Sequence, residues 1–530
     1  MHALLITVKA MPYPEMIHAL LDPAAYPHAT ADIEHIHTHI SDVFLAGDFA
    51  YKLKKPVDLG FLDFTTLNKR LQACRDEVRL NARLAPQIYL GVAAICFQGG
   101  RYRIVIDADG VTQGEIVDYA VRMRRMPQEG MFDRLAIAGR ITRQHMQALA
   151  GQLARFHQSA ERGPHIDAFG TPDNIARPIR QNFSQTEKYI GDCIAHGQFE
   201  RLRDYSEAFL RTQKNLFNDR ITHRHIVDGH GDLHLRNMCL YHEEVVIFDC
   251  IEFNQALRAG DNLSDIAFLT MDLEARGLKD LGNVFLNAYL EQTGDYPGVA
   301  LLDFYQVYRA YVRGKVTAFL QDSAADAAER ADARREAAAY FTQAEHYIVA
   351  RDPGLIITCG LSGSGKSTAA RRVAESLDGI VVRSDAVRKQ LAGMTLGQRD
   401  SSDFGQGIYN PEMTRTTYST MLQHATTITA SGRWAILDAT YPTREYRRAA
   451  AEMARTLDMP FAILHCSAPH GELLRRLVER NAAGTDVSDA TVAILEAQSQ
   501  GFEKPGENEG LILDWSGREN IAELLAPLVR

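Results

Sequence analysis

Residues 355–368 read LIITCGLSGSGKST. Leu355 to Cys359 form a short apolar run of the kind buried in a parallel sheet. Gly360, Gly365, Lys366 and Ser367 then fall on the fixed positions of G-x-x-x-x-G-K-[ST]. A helix-forming stretch, TAARRVAESL, follows directly. Strand, glycine loop and helix, in that order, bring backbone N–H groups and the positive end of a helix dipole to one point. Such a point binds phosphate.

The glycines Gly360, Gly363 and Gly365 let the loop turn inward. Lys366 should reach the outer phosphates of ATP or GTP, and the Ser367 hydroxyl, with Thr368 beside it, should hold Mg²⁺. Downstream, the strand-like Gly379–Arg383 ends in Ser384-Asp385, with Arg388 one helical turn on. In an α/β sheet the carboxyl end of that strand faces the phosphate crevice. Asp385 can then take a proton from an attacking hydroxyl, or serve only as a helix N-cap. A third strand, Trp434–Leu437, delivers Asp438, a second candidate for Mg²⁺ or its waters, with Arg444 further on. A fourth, Phe461–Cys466, leads into a helix carrying Arg475, Arg476 and Arg480. That helix reads as a lid over a transferred phosphoryl group or as a solvated charged face.

SDxxR, D-x-T with a later arginine, and RRLxER resemble the P-loop kinases of the polynucleotide-kinase, gluconate-kinase and zeta-toxin type, an AAA-like group. The resemblance covers most of 354–510. It implies Asp385 as general base and Arg388 as a contact to acceptor phosphate. It leaves the acceptor open, because related lids serve sugars, nucleic acids and drugs.

Upstream lies a second constellation. His230–Asn237 reads HGDLHLRN, and Val245–Phe253 reads VVIFDCIEF. Asp232 and Asn237 are five apart, and Asp249 ends an apolar strand twelve residues later. Asp232 can face an acceptor hydroxyl while Asn237 and Asp249 converge on Mg²⁺. Further back, Phe44–Lys55 (FLAGDFAYKLKK) predicts a hairpin turning at 46–48, with Lys52 and Lys54 on one face. Glu77, on a predicted helix over 71–84, is the expected partner of Lys52, with Lys54 as the other candidate. HGDLHxxN with a later strand-borne aspartate resembles the aminoglycoside phosphotransferase family, a protein-kinase-like branch, over about 30–320. No G-x-G-x-x-G precedes the lysine strand, and Asp249-Cys250-Ile251 lacks the glycine of the kinase switch motif.

The expected fold is therefore two domains. Residues 1–350 should form an α+β bilobal protein-kinase-like domain, with a small lobe near 30–125, a large lobe near 126–320 and an alanine-rich helical connector at 322–350. Residues 354–530 should form an α/β P-loop NTPase domain, a three-layer sandwich around a parallel sheet.

Composition bounds the rest. The chain has 530 residues, 46% apolar and 24% charged, which excludes wholesale disorder and collagen-like repeats. The apolar run Tyr89–Phe97 is about half of a membrane span. The start, MHALLITVKAMPYP, lacks a basic region before its short apolar patch, so no signal peptide is expected. Seven scattered cysteines suit a reducing compartment, and the chain is expected to be cytoplasmic. Net charge is -9, and only -2 of it lies from residue 354 onward, which gives no footprint for tight polynucleotide binding. His35, His37 and His39 share a strand face without an identifiable acidic or cysteine partner, so a metal site is not expected there.

The function expected is a bifunctional ATP- or GTP-dependent, Mg²⁺-requiring phosphotransferase with two kinase-type sites. The acceptor is an unidentified hydroxyl on a small molecule or a nucleic-acid 5′ end. The alternatives are a polynucleotide 5′-hydroxyl kinase with an accessory kinase-like domain, and a nucleotide-regulated ATPase with one silent domain.

Overall fold

Six strands in the first third of the chain, most of them buried on both faces, build an antiparallel sheet. Its strands are β1 (Ile33–His37), β2 (Ser41–Ala46), β3 (Phe49–Lys54), β4 (Tyr89–Gln98), β5 (Arg101–Val105) and β6 (Glu115–Arg124). Their order is β1-β2-β3-β6-β4-β5. In this computed structural model, which describes residues 13–60, 62–106, 114–398, 406–483 and 492–528 (without the side chains of 480–483 and 493), the β2–β3 turn falls at Gly47 with φ +57°. One sheet face buries Phe44, Tyr51, Leu53, Ile95 and Ala120. The other buries Leu45, Ala50, Val121 and Met123 beneath Cys74 of the helix Leu67–Asn81. Thr66 caps that helix by accepting from Lys69 N.

Two smaller ladders follow: β7 (Ile226–Asp228) with β10 (Ala259–Asp261), and the hairpin β8 (Met238–Tyr241)–β9 (Glu244–Ile247). These strands, the first sheet and its helix belong to one compact unit made of 1–141, 159–171 and 221–265.

The second unit comprises 142–158, 172–220 and 266–530. Its P-loop sheet has strands β11 (Leu355–Cys359), β12 (Ile380–Arg383), β13 (Ala435–Asp438), β14 (Phe461–Cys466) and β15 (Leu511–Trp515). All are parallel, in the order β12-β13-β11-β14-β15. Ile356, Val381, Ile436, Ala462, Leu464 and Leu513 pack on one face against Ala369, Ala370, Val373 and Ala374 of the helix Lys366–Leu377. The helices Pro411–Ala430 and Arg444–Thr456 also pack on the sheet, burying Met421, Ala425, Ala450 and Ala454. Because β-strand side chains alternate, helices on both faces are what such near-continuous buried strands require. This is the α/β P-loop NTPase sandwich, and the N-terminal part is an α+β fold built on the antiparallel sheet.

The alanine-rich stretch forms the helix Ala327–His346, not one run from residue 322. The preceding helix, Leu302–Ser323, ends first, and Asp326 caps the new one by accepting from Glu329 N. The aspartate side chain offers the backbone an alternative to continuing the helix. Ala337, Tyr340, Phe341 and Ala344 face inward, and the Phe341 ring lies 5.0 Å from that of Tyr311. All seven cysteines are buried and unpaired as disulfides. Among the described residues no helix is long and apolar enough to cross a membrane.

Candidate functional site

In the first unit the period of two along β3 puts Lys52 and Lys54 on the same side, beneath the helix that carries Glu77. Lys52 Nζ lies 2.9 Å from Glu77 Oε1 and 2.5 Å from Asp249 Oδ1. Lys54 Nζ lies 2.5 Å from Glu77 Oε2 and also pairs with Glu252. Neither lysine alone is the glutamate's partner; Glu77 bridges them. Burial by itself would lower the Lys52 pKa, but Asp249, Glu77 and Glu252 outweigh it and hold the ammonium well above the ordinary lysine value. Burial likewise opposes ionisation of Glu77, and the two lysines reverse that, keeping its carboxyl below the usual range.

The β8–β9 hairpin brings the other predicted residues together. Phe248 N donates to Asn237 O at 3.0 Å, so Asn237 and Asp249 flank the base of the hairpin. Asn237 Nδ2 donates to Asp232 Oδ2 at 2.9 Å, and His234 Nε2 lies 3.2 Å from that oxygen. Asp249 has left-handed backbone, φ +62°, and its N–H donates to Tyr89 Oη at 3.2 Å. That kink turns its carboxylate toward Lys52.

Asp265 belongs to none of the motifs read from the sequence. Its carboxylate accepts from His230 N at 2.8 Å and Gly231 N at 2.9 Å, fixing the loop that carries Asp232. A side chain at Gly231 would meet Leu257 O at 2.7 Å, so only glycine fits this bend, which has φ +82°. Asn81 accepts from Cys250 N at 2.8 Å, and Glu252 completes the lysine cluster. The signal available for these was weak: polar residues inside otherwise apolar, buried stretches.

The histidines at which no metal site is expected from sequence do have an acidic partner. Cross-strand pairing sets His37 directly opposite Asp42. Asp42 Oδ1 lies 2.9 Å from His35 Nε2 and 2.8 Å from His37 Nδ1, and Tyr13 Oη donates to its Oδ2 at 2.8 Å. Lys55 Nζ sits 2.8 Å from His37 Nε2. The candidate ligands are thus hydrogen-bonded to one another next to a cation.

In the second unit a cavity of about 560 Å³ gathers Gly363, Gly365, Lys366, Ser367 and Thr368 with Asp385, Arg388, Asp438 and Arg476. Gly360 lies at the end of β11 with φ +147°, where a Cβ would meet Cys466 O at 2.2 Å. Lys366 Nζ donates to Leu361 O at 2.9 Å across the loop. Asp385 is in the first turn of the helix Ser384–Leu391, whose N-cap is Arg383, so it does not cap the helix. Arg388 is buried, donates Nη1 to Ile408 O at 3.0 Å and to Thr414 Oγ1 at 3.1 Å, and lies 4.8 Å over the Tyr409 ring. Its Nε makes no hydrogen bond. Asp438 Oδ2 is likewise buried and accepts none, with Arg383 Nε 3.4 Å away. A buried carboxylate oxygen so placed beside Ser367 and Lys366 is the kind of group a divalent cation or its waters would satisfy.

Arg476 reaches Gly363 O at 3.3 Å, while Arg475 is exposed and paired with Glu472 and Glu479 on its own helix. Arg475 and Arg444 are not among the described residues lining the cavity. The Arg480 side chain lies outside the described ones. Tyr409, Thr414, Tyr418, Thr443 and Gln498 also line the cavity, and no motif in the sequence singled them out.

A family model described as an AAA domain matches residues 355–505. A gluconokinase from Sinorhizobium meliloti 1021 is 21% identical, covering 33% of this chain and 89% of its own, with a TM-score of 0.23. A choline/ethanolamine kinase family protein from Mesorhizobium loti is 13% identical, covering 60% and 92%, with a TM-score of 0.36. The uncharacterized protein Rv2004c of Mycobacterium tuberculosis and the uncharacterized protein Mb2027c of Mycobacterium bovis are each 34% identical over 463 residues, 87% of this chain and 89% of theirs. At that identity and coverage, the chain belongs to one family with these mycobacterial proteins.

Proposed function

We propose that the protein is a phosphotransferase with two kinase-type sites, one in a kinase-like domain over 1–350 and one in a P-loop domain over 354–530, each using ATP or GTP to phosphorylate a hydroxyl. The observation that supports this most is the P-loop cavity. It combines a phosphate loop, a carboxylate at the end of the neighbouring strand and a buried arginine with an unused donor. Loop N–H groups and Lys366 hold the nucleotide phosphates. Asp385 takes the proton of the acceptor hydroxyl, and Arg388 orients the acceptor. Arg476 supplies charge to the transferred group, with Arg480, Arg475 and Arg444 as further lid candidates. Mg²⁺, held by Ser367 and Asp438, would supply charge neutralisation between the phosphates.

The first unit supports the same reading with different parts. Lys52, locked by Glu77, aligns phosphates, Asp232 accepts the acceptor proton, and Asn237 and Asp249 would hold Mg²⁺. Positioning and electrostatics supply nearly all of the rate enhancement in such sites.

The test is transfer of labelled γ-phosphate from ATP and GTP to a panel of metabolites and a 5′-hydroxyl RNA oligonucleotide, using the full chain. Asp232→Asn should abolish one set of labelled products and Asp385→Asn the other. Labelling unchanged in either variant removes that aspartate from its role. Labelling of the oligonucleotide alone selects the 5′-end kinase reading.

A further inference from the structure

Strand β12 is the edge of the P-loop sheet, paired among the described residues with β13 alone. Its outer backbone groups meet the helix Lys279–Thr293, from the same compact unit. Asn287 behaves there like a neighbouring strand residue. Its Oδ1 accepts from Val381 N at 2.7 Å and its Nδ2 donates to Gly379 O at 3.1 Å. Asn283 Nδ2 donates to Gly379 O at 3.0 Å, and Tyr296 Oη to Val381 O at 3.3 Å. An open sheet edge is thereby covered by side chains.

The same helix reaches the cavity. Glu291 Oε1 accepts from Arg383 Nη1 at 2.6 Å, and Gln390 Nε2 donates to Glu291 O at 3.0 Å. Arg383 lines the cavity, two residues before Asp385. Its Nε stands 3.4 Å from Asp438 Oδ2, longer than the ~2.7–2.9 Å of a formed charge-assisted hydrogen bond. One guanidinium is thus shared between a close carboxylate outside the cavity and a more distant one inside it.

We propose that Glu291 is a positioning residue for the P-loop site: by engaging Arg383 it keeps that guanidinium from closing on Asp438, leaving the carboxylate available to Mg²⁺. This rests on reading the cavity as a Mg²⁺–nucleotide site. Helix Lys279–Thr293 lies in the stretch assigned from sequence to the kinase-like domain, so displacement of this helix would change the charge presented at the P-loop cavity. Without the Glu291 charge, Arg383 turns to Asp438 and competes with the cation.

The test is calorimetric binding of ADP to the full chain with and without Mg²⁺. The wild type should bind ADP more tightly when Mg²⁺ is present. Glu291→Gln should keep the Mg²⁺-free affinity while losing roughly fivefold or more of the Mg²⁺-dependent gain, a coupling of ordinary allosteric size. The double variant Glu291→Gln/Arg383→Gln should recover the gain, which general damage to the interface would not allow. A full wild-type gain in Glu291→Gln, or a double variant as impaired as the single one, overturns the proposal. A wild type whose ADP binding ignores Mg²⁺ brings down the reading of the cavity, and the role of Glu291 falls with it.

Discussion

Lys52 Nζ and Glu77 Oε1 are 2.9 Å apart, in a pocket where the glutamate side chain is fully buried. The pair joins a strand to the helix packed on it, and the second glutamate oxygen carries Lys54. Two ammonium groups in this interior are tolerated because the carboxylate between them is ionised and Asp249 and Glu252 add negative charge beside them.

Glu77→Gln should therefore destabilise the first unit by about 3 kcal/mol, because it removes the one carboxylate that faces both buried ammonium groups and leaves Lys52 to Asp249 and Lys54 to Glu252. The folded pKa of Glu77 is depressed, so the stability it contributes is complete above its unfolded value near 4.5 and is lost as pH falls below that. Urea denaturation of wild type and variant should show a constant gap from pH 8 to 5 that narrows in more acid solution. A gap that widens on acidification contradicts the charge argument.

Asp265→Asn should weaken the loop carrying Asp232, because the carboxylate accepts two backbone N–H groups there. Charge-assisted bonds of this kind contribute about 1.5–3 kcal/mol each in mutational series. Hydrogen exchange of the His230 and Gly231 amides should speed up by at least tenfold, with less effect on the P-loop sheet. Unchanged protection at those amides would show that the clamp is not needed.

Gly360→Ala places a Cβ 2.2 Å from Cys466 O at φ +147°. Backbone strain and overpacking together should cost about 3 kcal/mol or more. The expected result is a lowered urea midpoint for the second unit and lost ADP binding. Gly393→Ala is the control: that position also has positive φ, but nothing lies within 4 Å of its Cβ, so the cost should be about 1 kcal/mol. Equal effects at the two positions refute the steric account.

Burial lowers the pKa of His424, packed 4.7 Å from the Tyr296 ring, from 6.5 to about 4. The unfolded chain then binds a proton between those values that the folded one refuses. Stability falls as pH drops from about 6.5 to 4, by about 2 kcal/mol once partial exposure is allowed for. His424→Gln should flatten that part of the wild-type pH–stability curve. A variant with the same acid slope as wild type disproves it.

Much of this was written in local sequence. The strand–glycine–helix order of 355–377 is enforced by backbone geometry, so the P-loop and the parallel sheet around it were legible from spacing alone. The period of two along a strand set Lys52 and Lys54 on one face, and HGDLHLRN placed Asp232 and Asn237 in one turn. What spacing could not decide was which distant side chains complete each cluster. Glu77 serves two lysines because a helix crosses the sheet at one height. Asp42 meets His35 and His37 because antiparallel pairing puts it opposite His37, with His35 two residues along on the same face. Asp265 clamps the Asp232 loop from 35 residues downstream. Arg475 and Arg476 are adjacent in sequence, but the helix turns about 100° per residue, so one points to solvent and the other to the phosphate loop. Local periodicity fixes which residues share a face; only tertiary packing decides what each face meets.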